Sequence, residues 1–474
     1  MSVYVPTIGL EIHAELKTRT KMFCDSPNAP HEALPNTNIC PICMAHPGTL
    51  PVANKEAVRQ VLRVGTAIGG TLADYSEFDR KNYFYPDIPK GYQISQYEHP
   101  LVLGGELVGV AVTRVHLEED TARSSHTTKS GSSLVDFNRA GVPLMELVTE
   151  PVIHDAETAV RFAKELQLLL RTLGASSANL EKGEMRIEAN ISVSPNDTPS
   201  VAYVEVKNIN SFRAVERAIA YEVERQIALL ERGEKLVKET RGWDEGKQQT
   251  FSQRRKEGAS DYRYFPEPDL PKMVLSEMPE FSKEVLKTSL PELPWERRAR
   301  YAELGLNPSA CAFLADGLAR GAFFDSVINA LDGSGELLVL ASNYLISDVA
   351  GWYAKSATEE YSGLDADSFA TLVRLIGEGS LSSRGAKDVL LLMLEGDTRA
   401  PKEIAESAGL IQVNDHEELR GTVRGVLQAQ PAAVQEYKEG KESALQFLVG
   451  QTMKATRGAG NPGMLKTLLL EELG

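Results

Sequence analysis

Strict alternation of apolar and polar residues is the feature that most constrains the fold of this chain. In the segment TIGLEIHAEL (7–16), isoleucine and leucine alternate with Glu11, His13 and Glu15, so a strand here has one apolar and one acidic face. We predict that acidic or imidazole groups lie on one side of a strand in four further segments: VTRVHLEEDTA (112–122), VPLMELVTEP (142–151), RIEANISV (186–193) and YVEVKNINSF (203–212).

Several carboxylates and a histidine on neighbouring strands repel one another unless a cation lies among them. Mg²⁺ and Mn²⁺ prefer oxygen ligands and usually take phosphate oxygens as well. The alternative is that each segment is the solvated face of an ordinary antiparallel strand, and any one segment alone is compatible with it. The five segments together favour a divalent cation site.

Length and charge exclude several classes of protein. A chain of 474 residues is too long for one core and predicts two or three domains. A net charge of −15 argues against a protein that coats nucleic acid by bulk electrostatics, although it allows one local RNA-binding patch. The chain has no run of 18 apolar residues and no signal or transit segment, which predicts a cytoplasmic location.

The predicted secondary structure changes near residue 294, where strand patterns end and short helices begin. Before that point, amphipathic helices are predicted over 154–174, capped by Asp155, and over 213–237. We predict an α+β fold of three parts: a large mixed α/β catalytic body built on antiparallel sheet and shaped like a cradle (1–293), an all-α helical domain (294–411) and a small helical tail (412–474).

Three of the four cysteines lie near one another in the sequence. Cys40 and Cys43 form a C-x-x-C pair, and Cys24 precedes them by sixteen residues. Such spacing is typical of zinc sites, and His31 or His46 would then be the fourth ligand. The favoured alternative is a loop that has lost an ancestral zinc site. The remaining cysteine stands in a helical context and is predicted to be a small core residue.

The segment RKNYFYPDIPKGYQISQ (80–96) predicts contact with anionic and flat groups. It offers Lys81 and Lys90 together with tyrosine rings, and Lys207 follows in VEVKNINSF. Beside a carboxylate-bound cation, this combination suits a nucleotide triphosphate; the alternative is a structural loop. The sequence lacks the usual phosphate-binding loop, dinucleotide fingerprint, protein-kinase signatures and G-x-S-x-G element. An ATP site here would therefore be an unusual one, and a self-contained glutaminase is not expected.

Read in order, these segments resemble the B subunits of aspartyl/glutamyl-tRNA(Asn/Gln) amidotransferases, the GatB family. The resemblance runs from about residue 5 to the C-terminus. It is carried by GLEIHAEL, PNTNICPICMAHPGTLP, RKNYFYPDIPKGYQISQ, HLEED, DFNRAGVPLMELVTEP, EVKNINSF, DYRYFPEPDLP and QTMKATRGAGNP.

The resemblance implies a glutamine-dependent amido-ligase of the kinase/transamidase type. Such a subunit uses ATP to phosphorylate the side-chain carboxylate of Glu-tRNA(Gln) or Asp-tRNA(Asn). Ammonia from a glutaminase A subunit then displaces the phosphate, and a small C subunit completes a heterotrimer.

The resemblance also implies roles for individual residues. Catalytic Mg²⁺ would be held by His13, Glu119 and Glu146, and a second metal by Glu11, Glu188 and Glu205. Anionic groups of ATP would be bound by Lys81, Lys90 and Lys207, and tRNA by Lys454 and Arg457. The choice of Glu119 over Glu118 rests on the resemblance, with some support from the alternation of Val115, Leu117 and Glu119. Glu188 departs from the family, which usually has aspartate there.

Two rival functions remain open at this point. One is a tRNA-binding scaffold whose acidic strands are structural, and the other is a free-standing metal-dependent kinase or ligase for a small carboxylic acid. Replacement of His13 by alanine would separate the scaffold from the enzyme. Removal of residues 412–474 would not affect an enzyme that acts on a small molecule.

Overall fold

The computed structural model of the chain describes residues 4–31, 34–126, 132–195, 203–255, 262–356, 361–412, 416–456 and 460–474. It divides into two compact units, Met1–Leu293 and Pro294–Gly474. The described part of the first unit combines sheets with helices, and that of the second is helical. The predicted α+β class is therefore confirmed.

The first unit is organised around one large sheet. Within the described residues the strands are β1 (Tyr4–Glu15), β2 (Thr71–Leu72), β3 (Tyr75–Ser76), β4 (Asp79–Asn82), β5 (Tyr92–Ser95), β6 (Val102–Leu103), β7 (Glu106–Leu107), β8 (Val110–Glu119), β9 (Arg123–His126), β10 (Ser133–Asp136), β11 (Pro143–Thr149), β12 (Met185–Pro195), β13 (Val204–Ile209), β14 (Glu239–Asp244), β15 (Gln249–Arg255), β16 (Phe265–Pro266) and β17 (Met273–Val274).

The strands of the large sheet follow the order β15-β14-β13-β12-β1-β11-β8-β6-β2, with β7 paired to β8. Every pair in it is antiparallel except β13 with β14. Smaller sheets have the orders β10-β9, β16-β4-β5 and β17-β3.

The five acidic segments become five adjacent strands, in the order β13-β12-β1-β11-β8. Residues directly opposite each other in an antiparallel pair lie on the same face of the sheet. In this register His13 stands opposite Glu146 on one side and Arg186 on the other, and Glu11 stands opposite Glu188. Pairing thus gathers the polar faces of separate segments into one surface.

The helices of the chain fall into a small group in the first unit and a larger group in the second. The described helices are α1 (Lys55–Ala67), α2 (Ala156–Thr172), α3 (Phe212–Glu231), α4 (Lys283–Thr288), α5 (Pro294–Glu303), α6 (Pro308–Ala315), α7 (Leu318–Ala330), α8 (Gly335–Tyr344), α9 (Ala350–Tyr353), α10 (Ala366–Gly377), α11 (Ser383–Leu394), α12 (Pro401–Ser407), α13 (His416–Ala429), α14 (Pro431–Lys438), α15 (Glu442–Ala455) and α16 (Pro462–Leu473).

The apolar face of the large sheet is buried, because Ile8, Leu10 and Ile12 are fully inaccessible to solvent. Helix α2 begins at its predicted cap, where the Asp155 side chain accepts a hydrogen bond from the Thr158 amide. Helix α3 packs against β12 and β13. It ends at Glu231 rather than at residue 237, because the chain turns at Gly233 with a φ of 73°.

The second unit contains two separate hydrophobic clusters. One includes Tyr301, Phe324 and Phe369, and the other includes Leu448 and Leu468 in the tail. Cys311 belongs to the first cluster and is 4% exposed, which confirms its predicted place in a core. None of the described helices is both long and apolar enough to cross a membrane.

Candidate functional site

A cluster of acidic side chains surrounds His13 on the polar face of the large sheet. The His13 Nε2 atom lies 3.4 Å from Glu146 Oε2, 3.6 Å from Glu118 Oε1 and 3.8 Å from Glu11 Oε1. One ligand atom each from Glu11, His13 and Glu146 lie within 4.8 Å of one another. Oxygen and imidazole ligands at this spacing can hold a hard divalent cation.

His116 is a member of this cluster that the sequence analysis missed. Its Nε2 atom lies 3.2 Å from Glu146 Oε2, and His116, Glu118 and Glu146 form a second group of candidate ligands. The alternation of β8 could have revealed it, because His116 and Glu118 are two residues apart and must share a face. That face is the polar one, since His116 stands opposite Glu146 in the sheet.

The prediction that Glu119 joins His13 and Glu146 needs correction, because the structure places Glu118 there. Glu118 is the neighbour of His13, whereas Glu119 shares a strand face with Leu117 and turns away from the cluster. The Glu119 carboxylate accepts hydrogen bonds from Lys90 Nζ at 2.7 Å and from the Ile94 amide at 3.0 Å. Lys90 is thereby also held at Glu119 rather than at the His13 cluster.

A further acidic group lies beside the first and shares Glu11 with it. Ligand atoms of Glu11, Glu188 and Glu205 lie within 4.8 Å of one another, as the predicted second metal set requires. Lys207 extends between two of them, with its Nζ 2.7 Å from Glu188 Oε2 and 3.4 Å from Glu205 Oε1. The longer Glu188 side chain, where the family usually has aspartate, still reaches this group.

The crowding of negative charge perturbs the acid–base properties of the cluster. Burial, followed by the charge of Glu146, raises the pKa of Glu11 to about 7. Burial alone would lower the pKa of His13, but the hydrogen bond and charge of Glu146 raise it to about 9. Without a metal ion, protons thus supply part of the positive charge that the carboxylates require.

Lys81 supplies positive charge to the same cluster. Burial alone would lower the pKa of Lys81, but the charges of Glu118 and Glu146 raise it above its usual range. Its Nζ lies 5.3 Å from the centre of the Tyr262 ring, within the range of a cation–π interaction. Of the three lysines predicted to bind ATP, Lys81 and Lys207 face the acidic groups and Lys90 does not.

The cysteine cluster forms as the sequence spacing suggests, but its surroundings do not fit a tetrahedral zinc ion. Sulfur atoms of Cys24, Cys40 and Cys43 lie within 4.8 Å of one another. The fully buried Lys21 places its Nζ 3.8 Å from Cys43 Sγ, and Ser26 Oγ lies 3.9 Å from the same sulfur. A lysine beside Cys43 opposes a second cation there whenever it is protonated, and a fourth ligand is lacking among the described residues.

Neither His31 nor His46 completes that cysteine group. Among the described residues, the candidate ligands gathered around the thiols are the three cysteines alone. The imidazole of His31 points elsewhere, with its Nε2 3.6 Å from Glu15 Oε2 and 3.8 Å from Glu184 Oε1. This region is therefore better described as a cluster of three cysteines in contact with a buried lysine.

With the geometry of the acidic site established, the chain can be compared with known proteins. The sequence model of the GatB/GatE catalytic domain matches residues 6–279, which include every member of the acidic site, and that of the GatB domain matches residues 322–473. The chain belongs to the GatB family. The resemblance inferred from the sequence motifs is thus confirmed.

Curated relatives in the GatB family align with nearly the whole chain. The B subunit of aspartyl/glutamyl-tRNA(Asn/Gln) amidotransferase from one strain of Thermus thermophilus is 44% identical over 477 residues, covering 100% of both chains. The protein of the same name from Crocosphaera subtropica is 41% identical, covering 98% of this chain and 97% of the relative. The B subunit of the chloroplastic/mitochondrial glutamyl-tRNA(Gln) amidotransferase of Physcomitrium patens is 42% identical, covering 99% and 85%.

The helical tail carries the residues predicted to contact RNA. Lys454 lies in the last turn of α15 and is exposed. Arg457 lies outside the described residues. Asn461 has a structural role, because its side chain accepts hydrogen bonds from the amides of Gly463 and Met464 and so caps α16. Of the two residues predicted to bind tRNA, Lys454 is thus the one that the structure describes, and its side chain is open to solvent.

Proposed function

We propose that this chain is the ATP-dependent subunit of a tRNA-dependent amidotransferase. It phosphorylates the side-chain carboxylate of Glu-tRNA(Gln), Asp-tRNA(Asn) or both, and ammonia then converts the activated group to the amide. The observation that carries this proposal is the pair of acidic groups joined at Glu11, on the polar face of β1. Membership of the GatB family supports the RNA-linked substrate.

The donor set fits two Mg²⁺ ions. His13, Glu118 and Glu146 would hold the first ion, and Glu11, Glu188 and Glu205 the second. When bound, Mg²⁺ neutralises phosphate oxygens and favours displacement at phosphorus. Carboxylates dominate these two ligand sets, and their one nitrogen ligand is the imidazole of His13. Such sets suit a hard cation better than thiol ligands would.

The chemistry brings two anions together, and the lysines of the site reduce their repulsion. A side-chain carboxylate oxygen of the aminoacyl group attacks the γ-phosphorus of ATP, the bond to the β-phosphate oxygen breaks, and ADP leaves. Lys81 and Lys207 present positive charge to the acidic groups. Ammonia next attacks the acyl carbon, inorganic phosphate leaves, and the amide nitrogen loses a proton.

The source of ammonia is proposed to lie in a partner chain. The sequence has no G-x-S-x-G element or catalytic-cysteine context that would support a glutaminase. We therefore assign glutamine hydrolysis to a partner A subunit and propose a heterotrimer completed by a small C subunit. The exposed Lys454 in the tail is assigned to the phosphate backbone of the tRNA.

The proposal is tested by phosphate release from the chain co-expressed with its A and C partners. The assay contains Glu-tRNA(Gln), ATP and Mg²⁺ without an ammonia source, so that the activated acid is lost by hydrolysis. We expect release that requires the charged tRNA and disappears in Glu146→Ala. Glu150→Ala is the matched control, because Glu150 lies beyond the same strand and accepts a hydrogen bond from Thr113 outside the cluster. Equal release from wild type and Glu146→Ala would mean that these carboxylates are structural.

A further inference from the structure

A second polar cavity opens on the same strand face as the acidic cluster, two residues beyond His13. It has a volume of about 850 Å³, and Glu15 reaches it from β1. His31 and Glu184 also line it, together with residues from four other segments. None of the metal ligands proposed above lines this cavity, so its chemistry needs a separate explanation.

The lining of the cavity includes a hydrogen-bond acceptor without a donor. Glu15 is only 7% exposed, yet its Oε1 atom has no hydrogen-bond partner among the described residues. A buried carboxylate oxygen in that state is costly unless a ligand or water supplies a donor. The neighbouring Asp120 is paired with Arg186 at 2.8 Å, but its negative charge still disfavours the charged form of Glu15, so a cationic ligand would be stabilising beside Glu15.

A hydrogen-bond donor without an acceptor faces the same place. The guanidinium of Arg123 donates to His31 Nδ1 at 3.0 Å, so the proton of the neutral imidazole is on Nε2. That Nε2 atom has no hydrogen-bond partner in the described part of the chain. Its distances of 3.6 Å to Glu15 and 3.8 Å to Glu184 are too long for hydrogen bonds. A ligand that carries a cationic donor beside a carbonyl acceptor would supply the donor that Glu15 lacks and the acceptor that His31 lacks.

The charges around the cavity indicate what carries that ligand. Four cations line it, against two acids besides Glu15. The four are Lys17, Arg123, Arg139 and Lys182. Such a lining favours an ammonium group attached to an anionic carrier, such as the end of an RNA, over a free ammonium ion.

The spacing along β1 connects this cavity with the proposed reaction. Residues two apart in a strand lie about 7 Å apart on one face, which is the separation of Glu15 from His13. A glutamyl group measures roughly 5–6 Å from its α-nitrogen to its side-chain carboxylate by standard bond lengths. An aminoacyl group whose carboxylate lies at the His13 cluster can thus place its α-nitrogen near Glu15.

We propose that Glu15 binds the α-ammonium group of the aminoacyl ester and that the His31 Nε2–H donates to the ester carbonyl oxygen. The inference rests on the proposed function and identifies how the same site recognises its substrate. A free α-amino group thereby becomes a requirement for efficient reaction. Glu15 and His31 are binding residues in this scheme, and they take no part in bond breaking.

The test compares Glu-tRNA(Gln) with N-acetyl-Glu-tRNA(Gln), in which the α-nitrogen is neutral. In the assembled complex, kcat/KM for phosphate release is expected to favour the free amine by roughly ten- to a hundredfold, as for a hydrogen bond between charged groups. Glu15→Gln should remove most of that preference by slowing the free-amine substrate alone, and Glu15→Asp should retain part of it. Glu181→Gln removes an exposed carboxylate from the same cavity and should keep the full preference.

Several results would overturn the inference. The first is an equal kcat/KM of the wild type on both substrates. The second is an equal loss of kcat/KM on both substrates in Glu15→Gln, which would mean that Glu15 has a structural role or shares a proton with Asp120. An increase in the KM for ammonium chloride without a change in preference would assign Glu15 to free ammonium instead. If wild type released no phosphate at all, the proposed function would fail, and equilibrium binding of the two RNAs to wild type and Glu15→Gln would still decide the inference. Melting temperatures of all variants confirm that they are folded.

Discussion

Replacement of Glu118 by glutamine is expected to abolish metal-dependent activation of the substrate, whereas the same change at Glu119 is not. The two residues are adjacent in β8 and both are buried, so the pair is closely matched. Glu118 Oε1 lies 3.6 Å from His13 Nε2, inside the proposed metal site. Glu119 instead forms an ion pair of 2.7 Å with Lys90. Glutamine preserves shape in each case and removes one negative charge.

The size of the effect follows from the position of the charge. A carboxylate about 4 Å from a divalent cation gains roughly 8 kcal/mol of gross attraction at an effective dielectric constant of about 20. Desolvation offsets much of this, and loss of one partner from a buried charge pair typically costs about 3–5 kcal/mol. We therefore expect Glu118→Gln to weaken Mg²⁺ binding by at least about a hundredfold. Glu119→Gln should lower the free energy of unfolding by about 1–3 kcal/mol through its weaker bond to Lys90, with metal affinity retained.

Two measurements on the same samples distinguish these effects. Calorimetric titration with Mn²⁺ or Mg²⁺ gives the metal affinity, and guanidinium unfolding gives the stability. Phosphate release with Glu-tRNA(Gln) then shows whether metal affinity and activation fall together in Glu118→Gln. The assignment would be refuted if Glu119→Gln lost metal binding while Glu118→Gln kept it, because the register of β8 would then have been assigned to the wrong residue.

Two further predictions concern protons and RNA. Metal binding displaces protons from Glu11, with a pKa of about 7, and from His13, with a pKa of about 9. Mg²⁺ affinity should therefore rise steeply with pH up to 7, where both groups lose protons, and less steeply from 7 to 9, where His13 alone does. A pH-independent affinity would exclude His13 as a ligand. Lys454→Ala should weaken tRNA binding and reduce its salt dependence by about one phosphate contact, whereas Lys402→Ala, an exposed lysine outside the tail, should leave both unchanged.

Local periodicity explains why so much of the acidic site could be read from the sequence. The side chains of a strand alternate between its faces for covalent reasons, so Glu11 and His13 had to share a face wherever their strand was placed. The buried Ile8, Leu10 and Ile12 confirm that alternation. Local signals were equally sufficient for the Asp155 cap of α2, where a short side chain bonds to a nearby amide.

Contacts between distant segments were decided only by the tertiary structure. The sequence offered two adjacent glutamates in HLEED, and the pairing of His116 with Glu146 determined that Glu118 meets His13. A shift of one residue in that register would have reversed the choice, because it exchanges the faces of the strand. The sequence motifs identified the family and the acidic strands. The pairing of those strands determined which carboxylates meet, since register depends on packing between segments that are far apart in the chain.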